Sequence, residues 1–503
     1  MSIPSEISAT CKQELAACNK FFYTRNCVDL STNVAIGVRY NKLPSLPELY
    51  AALANLIESY PPLGLQVYAE GDADANCGGG KTTEAGIKPL PPRDIYAAQV
   101  SEIDFSTVVF LKESLDVQDK AAIDLFLEER FEYGSLKNLL WKVFILKDNW
   151  LVFNYDHTLF DGISGISVQQ HIISFLNRLE PSTDNSFKHS SIFTPKQLTN
   201  PKDLGVVNIY KPVENTWGFV TSRAIDTKLK PNFKYYANAI VKRLSLNPSI
   251  LGRLNQFENS SKYLISKNQF ADNIFVLSIP QKDVTTLIKM GKKHGNISMN
   301  TLLCSLFAAA TRGSFVLSEQ SINFFFPVNV RSIGNMPQDS IGIMIKGEEV
   351  VTPVLKDEIF ASTSLDLNKF WEFALEIQHE MSSAILSPKG YQSFCLLEQA
   401  DLLSLVKSKE GKPPTSVFGH SNLGVQFKEN ASTTSEKNQY TIDDALFYQS
   451  NVFSNCFTLS SISTLDSGLK TSIVYPNDLK QEMETLISSV QQYLKQLLQA
   501  EQL

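Results

Sequence analysis

Strands and helices occur together in both halves of this chain, which predicts a mixed α/β (α+β) protein built as two domains, each a mixed sheet with flanking helices. Apolar residues follow a helical period of about 3.6 in some segments and a strand period of about 2 in others, on both sides of the middle. A polar run with three prolines, residues 181–203, separates the two sets. Hydrophobic residues make up 43% and charged residues 19% of 503, the balance of a folded globular chain long enough for about two or three cores. The expected division is 1–185, a linker at 186–205, and 206–503.

The first half begins with an apolar stripe of Ile7, Cys11, Leu15, Cys18 and Phe22. A helix is expected over 45–60, where Leu46, Leu49, Leu53, Leu56 and Ile57 share a face and Ser45 with Glu48 forms a capping box. Pro61 and Pro62 stop it. Residues 71–93 form a Gly/Pro-rich loop whose ANCGGGKT is not a phosphate-binding loop: Ala75 stands where a glycine is needed, and prolines rather than a helix follow Lys81. The apolar WLVFNY at 150–155 reads as a buried strand running into DHTLFDG, and a helix follows Gly162 to about Leu179.

In the second half, a strand at 274–279 precedes a helix at 282–293 and an apolar helix at 298–312 closed by Gly313. The next strand points Ile322, Phe324, Phe326, Val328 and Val330 one way, and Asn329 and Arg331 the other. Residues 456–464 and 469–475 form a hairpin around Asp466, Ser467 and Gly468. A last helix at 479–498 aligns Leu479, Met483, Leu486, Val490, Tyr493, Leu494 and Leu497.

Forty-six basic and 52 acidic residues give a net charge of −6 with no basic block, which argues against nucleic acid as a partner. The seven cysteines are scattered without a C-x-x-C pair, so a reducing, cytoplasmic setting is expected, with no zinc site and no redox dithiol. There is no signal-peptide pattern at the start, and no run of the roughly 18–20 apolar residues that a membrane span needs. A monomer is expected. The two terminal stripes leave room for peripheral attachment to endoplasmic reticulum or lipid droplets, core packing being the commoner fate of such faces.

The chemistry concentrates in His157-Thr-Leu-Phe-Asp161-Gly162. A neutral imidazole at the end of a buried strand can take the proton of an attacking alcohol or amine and return it to a leaving group. Asp161 is too acidic for that task without strong desolvation, so its expected role is structural. Gly162 is expected to allow the backbone bend into the helix. Two other readings stand beside this one: a structural histidine at a strand end, and a His–Asp pair sharing a cation, the latter weakened by the absence of further His or Cys nearby.

DHTLFDG resembles the H-x-x-x-D-G motif of the chloramphenicol-acetyltransferase-like superfamily, which includes condensation domains, plant acyltransferases and fungal alcohol acetyltransferases. FFPVNVRS at 325–332 resembles that superfamily's strand ending in arginine, and HSNLG at 420–424 resembles the S-N-x-G segment of the fungal group. LWKVFIL at 140–146 and the segment 440–464 are also similar to that group. The resemblance implies two similar domains with the active site in a tunnel between them, acetyl-CoA as co-substrate, no metal, and a small or lipophilic alcohol or amine as acceptor. It implies that His157 is the general base, that Asp161 turns away to pair with Arg331, and that Ser421 and Asn422, with His420 beside them, are candidates to bind substrate or the oxyanion. Asp156 stands where condensation domains have a second histidine, and the D-F-G-W-G motif of the plant enzymes is missing, so the fungal branch is favoured. The expected activity is O-acetylation of an alcohol. N-acetylation of a sphingoid-like amine, or a catalytically silent binding member, are the alternatives.

Overall fold

The computed structural model describes residues 11–30, 33–69, 95–135, 138–179, 188, 191–210, 273–315, 321–353, 364–398, 400–428 and 439–501. The loop at 71–93, Ile7, Cys77, His189 and the first residues of the expected linker lie outside them. In the first half the chain forms β1 (Lys12–Glu14), α1 (Ala17–Cys27), β2 (Asn33–Tyr40), α2 (Leu46–Ser59), β3 (Leu65–Ala69), β4 (Ile95–Gln99), β5 (Ile103–Asp104), α3 (Phe105–Val108), β6 (Val109–Lys112), α4 (Lys120–Leu127), β7 (Trp141–Leu146), β8 (Trp150–Asp156), α5 (Gly162–Leu176) and β9 (Ile192–Phe193). In the second it forms β10 (Asn273–Ile279), α6 (Gln281–Lys293), α7 (Met299–Ser314), β11 (Asn323–Asn329), β12 (Ile345–Val351), α8 (Leu367–Leu386), α9 (Lys389–Leu397), α10 (Leu402–Lys407), β13 (Ser416–Val425), β14 (Ile442–Gln449), β15 (Asn455–Thr464), β16 (Gly468–Tyr475) and α11 (Lys480–Ala500).

Two large sheets organise these elements. One has the order β14-β2-β8-β7-β6, the other β10-β16-β15-β13-β11-β12. Both are mixed: β6 and β7 run parallel, as do β11 with β13 and β13 with β15, while the other neighbours are antiparallel. The sheets do not divide at the linker. Strand β14 comes from the second half yet pairs along β2 from Ile442↔Tyr40 to Gln449↔Val34, and β15 then returns the chain to the second sheet. The crossing ties the halves together, because the first sheet cannot be completed without a strand some 400 residues downstream of its neighbour.

Local sequence explains the elements. Helix α2 starts where expected, the Ser45 backbone N–H donating to the Glu48 carboxylate at 2.8 Å, a cap worth about 1 kcal/mol. All seven residues of β8 are buried, as its apolar run required. The expected hairpin is β15–β16, in register from Thr458↔Val474 to Thr464↔Gly468. The stripe of α11 packs against α7 with Met483, Leu486, Val490 and Leu497 buried, each such burial stabilising by about 1.5–3 kcal/mol.

Two expectations are corrected. Helix α7 runs through Gly313 to Ser314, with Gly313 in open space rather than in a left-handed cap. The N-terminal stripe is not one helix: Lys12–Glu14 is a strand, and Cys11, Leu15, Cys18 and Phe22 are all buried. The described members of both terminal stripes are packed in the interior. Among those residues, no helix is long and apolar enough to cross one.

Candidate active site

The DHTLFDG loop leaves the end of β8 and is fixed from both sides. Asp156 accepts from the Thr158 backbone N–H at 2.7 Å, from Asn26 Nδ2 at 2.6 Å and from the Tyr133 hydroxyl at 2.7 Å. Asn19 Nδ2 donates to the Thr158 carbonyl at 2.7 Å. Two asparagines of α1 thus pin the loop to a helix far away in sequence. Burial raises the Asp156 carboxyl above its usual range, and the donors around it oppose that rise.

At the other end, Asp161 caps α5: its Oδ1 accepts from the Ser164 N–H at 2.8 Å and from Ser164 Oγ at 2.9 Å. Arg331, fully buried just beyond β11, donates to both carboxylate oxygens, Nη1 to Oδ2 at 2.9 Å and Nη2 to Oδ1 at 2.8 Å. The Met344 N–H adds a bond to Oδ2 at 3.0 Å. Arg331 also donates to the Ser340 carbonyl, so the pair is saturated on both sides. Such a buried fork is specific in geometry, and removing one partner costs about 3–5 kcal/mol. Neither Asp161 oxygen is left for proton chemistry.

Gly162 serves a different purpose from the one expected. Its φ is not left-handed, and a Cβ there would come within 2.9 Å of Leu423 Cδ2; the glycine makes room for the β13 segment rather than for a bend. Gly165 is tighter still, with a Cβ position 2.6 Å from Ile36 Cγ1, so α5 can lie directly on β2.

Between these anchors, His157 lines a cavity of about 650 Å³ bounded by both halves of the chain. The ring of Phe22 stacks on its imidazole, centroids 4.1 Å apart and planes 5° from parallel. Nδ1 is buried without a hydrogen-bond partner of good geometry, which leaves Nε2 as the nitrogen available to a substrate. Burial first, and the neighbouring Arg25 charge second, lower the His157 pKa to about 4. The imidazole is neutral at physiological pH, the form a base requires.

Ser421 and Asn422 also line the cavity. They lie on strand β13, not in the tight turn that S-N-x-G suggests. Adjacent strand residues normally face opposite ways, but the register with β15 shifts between Asn422 and Val425, and Gly424 has φ 71°. Asn422 is partly engaged, Oδ1 accepting from the Gly424 N–H at 2.8 Å; the Ser421 hydroxyl carries no bond to a described residue.

His420 must be removed from the candidates. It does not line the cavity, and its ring is locked on the opposite face of β13 between Cys304 Sγ, 3.3 Å from Nδ1, and Ser461 Oγ, 2.8 Å from Nε2. Burial lowers its pKa to about 3. Among the other histidines, His171 hydrogen-bonds Tyr60 near Asp339 and His294 stacks on Trp371. No group of three or more His, Cys, Asp or Glu suited to a metal occurs among the described residues.

The sequence reading missed α1. Phe22 and Arg25 line the cavity and Asn26 holds the loop, on one face at i, i+3 and i+4. Eight residues of this helix are buried on several sides, including Asn19, Lys20 and Arg25, so the apolar stripe through Cys18 and Phe22 does not point to its polar residues at the site. Phe-x-x-Arg-Asn before an apolar strand was the only available sign.

Comparisons with known proteins agree with this architecture. The chain is similar to the N-acetyltransferase SLI1 of Saccharomyces cerevisiae, 22% identical over 501 residues, covering 96% of this chain and 99% of the relative. Its fold is similar to that of TRI3 trichothecene 15-O-acetyltransferase from Fusarium sporotrichioides, with a TM-score of 0.66 at 12% identity over 97% of this chain and 95% of that one. It is also similar to F. sporotrichioides TRI101, solved with coenzyme A and T-2, with a TM-score of 0.51 at 11% identity over 95% and 97% of the two chains. The fold is thus the two-lobed chloramphenicol-acetyltransferase-like one. The alcohol acetyltransferase family model matches residues 14–498, nearly the whole length, so this chain is an acyltransferase and belongs to the alcohol acetyltransferase family.

Proposed function

We propose that the protein transfers acetyl from acetyl-CoA to the hydroxyl of a small or lipophilic alcohol, with His157 as general base. The observation that carries this is a neutral imidazole at the cavity wall whose neighbouring Asp161 is wholly committed to Arg331 and the α5 cap. His157 Nε2 takes the acceptor proton as the oxygen attacks the thioester carbonyl carbon. The tetrahedral intermediate collapses, the C–S bond breaks, and the imidazolium returns the proton to the leaving sulfur. Acetyl ester and coenzyme A thiol result. The low pKa of His157 sets a cost for charging it, which the negative charge developing on the adjacent oxyanion offsets. Ser421, with its hydroxyl free, is the better placed donor to that oxyanion, and Asn422 is secondary.

Coenzyme A as the donor is supported by the family and by the TRI101 complex. A second reading, N-acetylation, is favoured by the name of the yeast relative and would use the same base. The test is release of coenzyme A thiol from acetyl-CoA against matched alcohols and amino alcohols, with His157→Ala alongside. Acceptor-dependent release lost in the mutant supports the reading, and the better acceptor decides between oxygen and nitrogen. Release unaffected by the mutation refutes His157 as the base.

A further inference from the structure

Arg25 is the unexplained charge of the cavity. It is 5% exposed, yet no hydrogen bond or ion pair reaches its guanidinium among the described residues, and its Nε is buried without a partner. Its contacts are aromatic faces: Phe21, Phe22 and Phe453 have ring centroids 5.5, 5.1 and 5.2 Å from its Cζ. Asp156, a buried carboxylate whose charge acts on Arg25, is bound by Asn26, Tyr133 and Thr158 instead. An isolated buried cation is costly, and cation–π contacts offset only part of the penalty. Arg331, the other buried arginine on the cavity side of the fold, shows what a satisfied one requires: a carboxylate held by two parallel bonds.

We propose that Arg25 receives a carboxylate carried by the acceptor close to its reacting hydroxyl or amine. The position selects the acceptor over the donor. Phe22 stacks on His157 and on Arg25, so a single phenyl ring separates the cation from the base. The phosphates of coenzyme A lie at the far end of its pantetheine arm from the sulfur, whereas an α- or β-substituent of the acceptor falls within this span. The surrounding rings of Phe21 and Phe453 then suit an apolar chain on the same molecule. A bound carboxylate would also neutralise the Arg25 charge, which contributes after burial to the low basicity of His157. The acceptor would thereby strengthen the base that activates it, and neutral alcohols would be poorer substrates. This inference rests on the acyltransfer reading of the site.

The test is calorimetric binding of β-hydroxydodecanoate and of its methyl ester to the full-length wild type and to Arg25→Met, Arg25→Lys and His157→Ala. The free acid should bind about tenfold or more tightly than the ester in wild type and in His157→Ala, a preference abolished in Arg25→Met and partly kept in Arg25→Lys. Equal binding of acid and ester by wild type, which needs no variant to fold, overturns the proposal. So does a preference that survives Arg25→Met. A fall in coenzyme A affinity in Arg25→Met with acid binding intact would assign the cation to the donor phosphates instead. A loss of turnover on neutral and acidic acceptors alike would assign it to the oxyanion. Because binding is read separately from turnover, a preserved acid preference with no acceptor-dependent thiol release would refute the acyltransfer reading and leave the anion site standing.

Discussion

His157 and His420 are both set in the protein interior, and burial lowers both, to pKa values of about 4 and about 3. Only His157 lines the cavity. His420 spends both ring nitrogens on Cys304 and Ser461 behind β13, whereas His157 stands at the cavity wall with Nε2 uncommitted. A depressed pKa reports burial; chemistry needs a nitrogen with somewhere to send its proton. The ways in which the two residues are held differ in the same sense. His157 is held by its neighbours, through Asp156, Thr158 and Asp161, so its own ring stays free, while His420 is held by the ring itself.

The sharpest way to break this contrast is His157→Ala, expected to lower kcat by about 10²–10⁴ with the melting temperature nearly unchanged. A rate within a factor of a few of wild type would remove His157 from the mechanism. Arg331→Leu strands the Asp161 carboxylate in the interior and is expected to cost about 3–5 kcal/mol in urea unfolding, with activity falling as the loop loosens. One residue along β13 from His420, Ser421→Ala should lower kcat by about 10² with stability kept. His420→Ala should do the reverse, losing about 1–3 kcal/mol of stability as a cavity opens and the bonds to Cys304 and Ser461 are lost, with kcat of the folded fraction close to wild type.

The smallest effect is on pH dependence. Both imidazoles bind a proton less readily when folded than at the ordinary value of 6.5. Their contribution to stability is therefore complete above pH 6.5 and is lost as the pH falls toward about 4 for His157 and about 3 for His420. With His157 as the proposed base, whose neutral form would be the active one, the acid limb of kcat/KM should fall near pH 4 rather than near 6.5. In His420→Ala that limb should stay where it is, and the acid loss of stability should shrink.

Much of the scaffold could be read before any fold was known. The Ser45–Glu48 box, the β8 strand, the hairpin around Ser467 and the stripe of α11 all announce themselves through residues a few positions apart. Arg331 was legible through resemblance alone, since nothing local links it to a carboxylate 170 residues earlier. The part played by α1 was not legible. Its Asn19, Phe22, Arg25 and Asn26 are polar and aromatic residues in a helix buried on several sides, and the pattern rules look for one dry face and one wet one.

The sequence by itself determined the local elements and the chemistry available at His157, because caps, periodicity and strand-end placement are set by near neighbours along the chain. Only the tertiary structure decided which side of β13 His420 faces, that β14 completes the sheet of the other half, and that α1 brings an arginine with no hydrogen bond or ion pair among the described residues within one ring of His157. Those outcomes depend on contacts between residues more than a hundred positions apart, such as Cys304 with His420 and Asn19 with Thr158. Such contacts are fixed by the packing of the whole molecule and leave no period in the sequence to read.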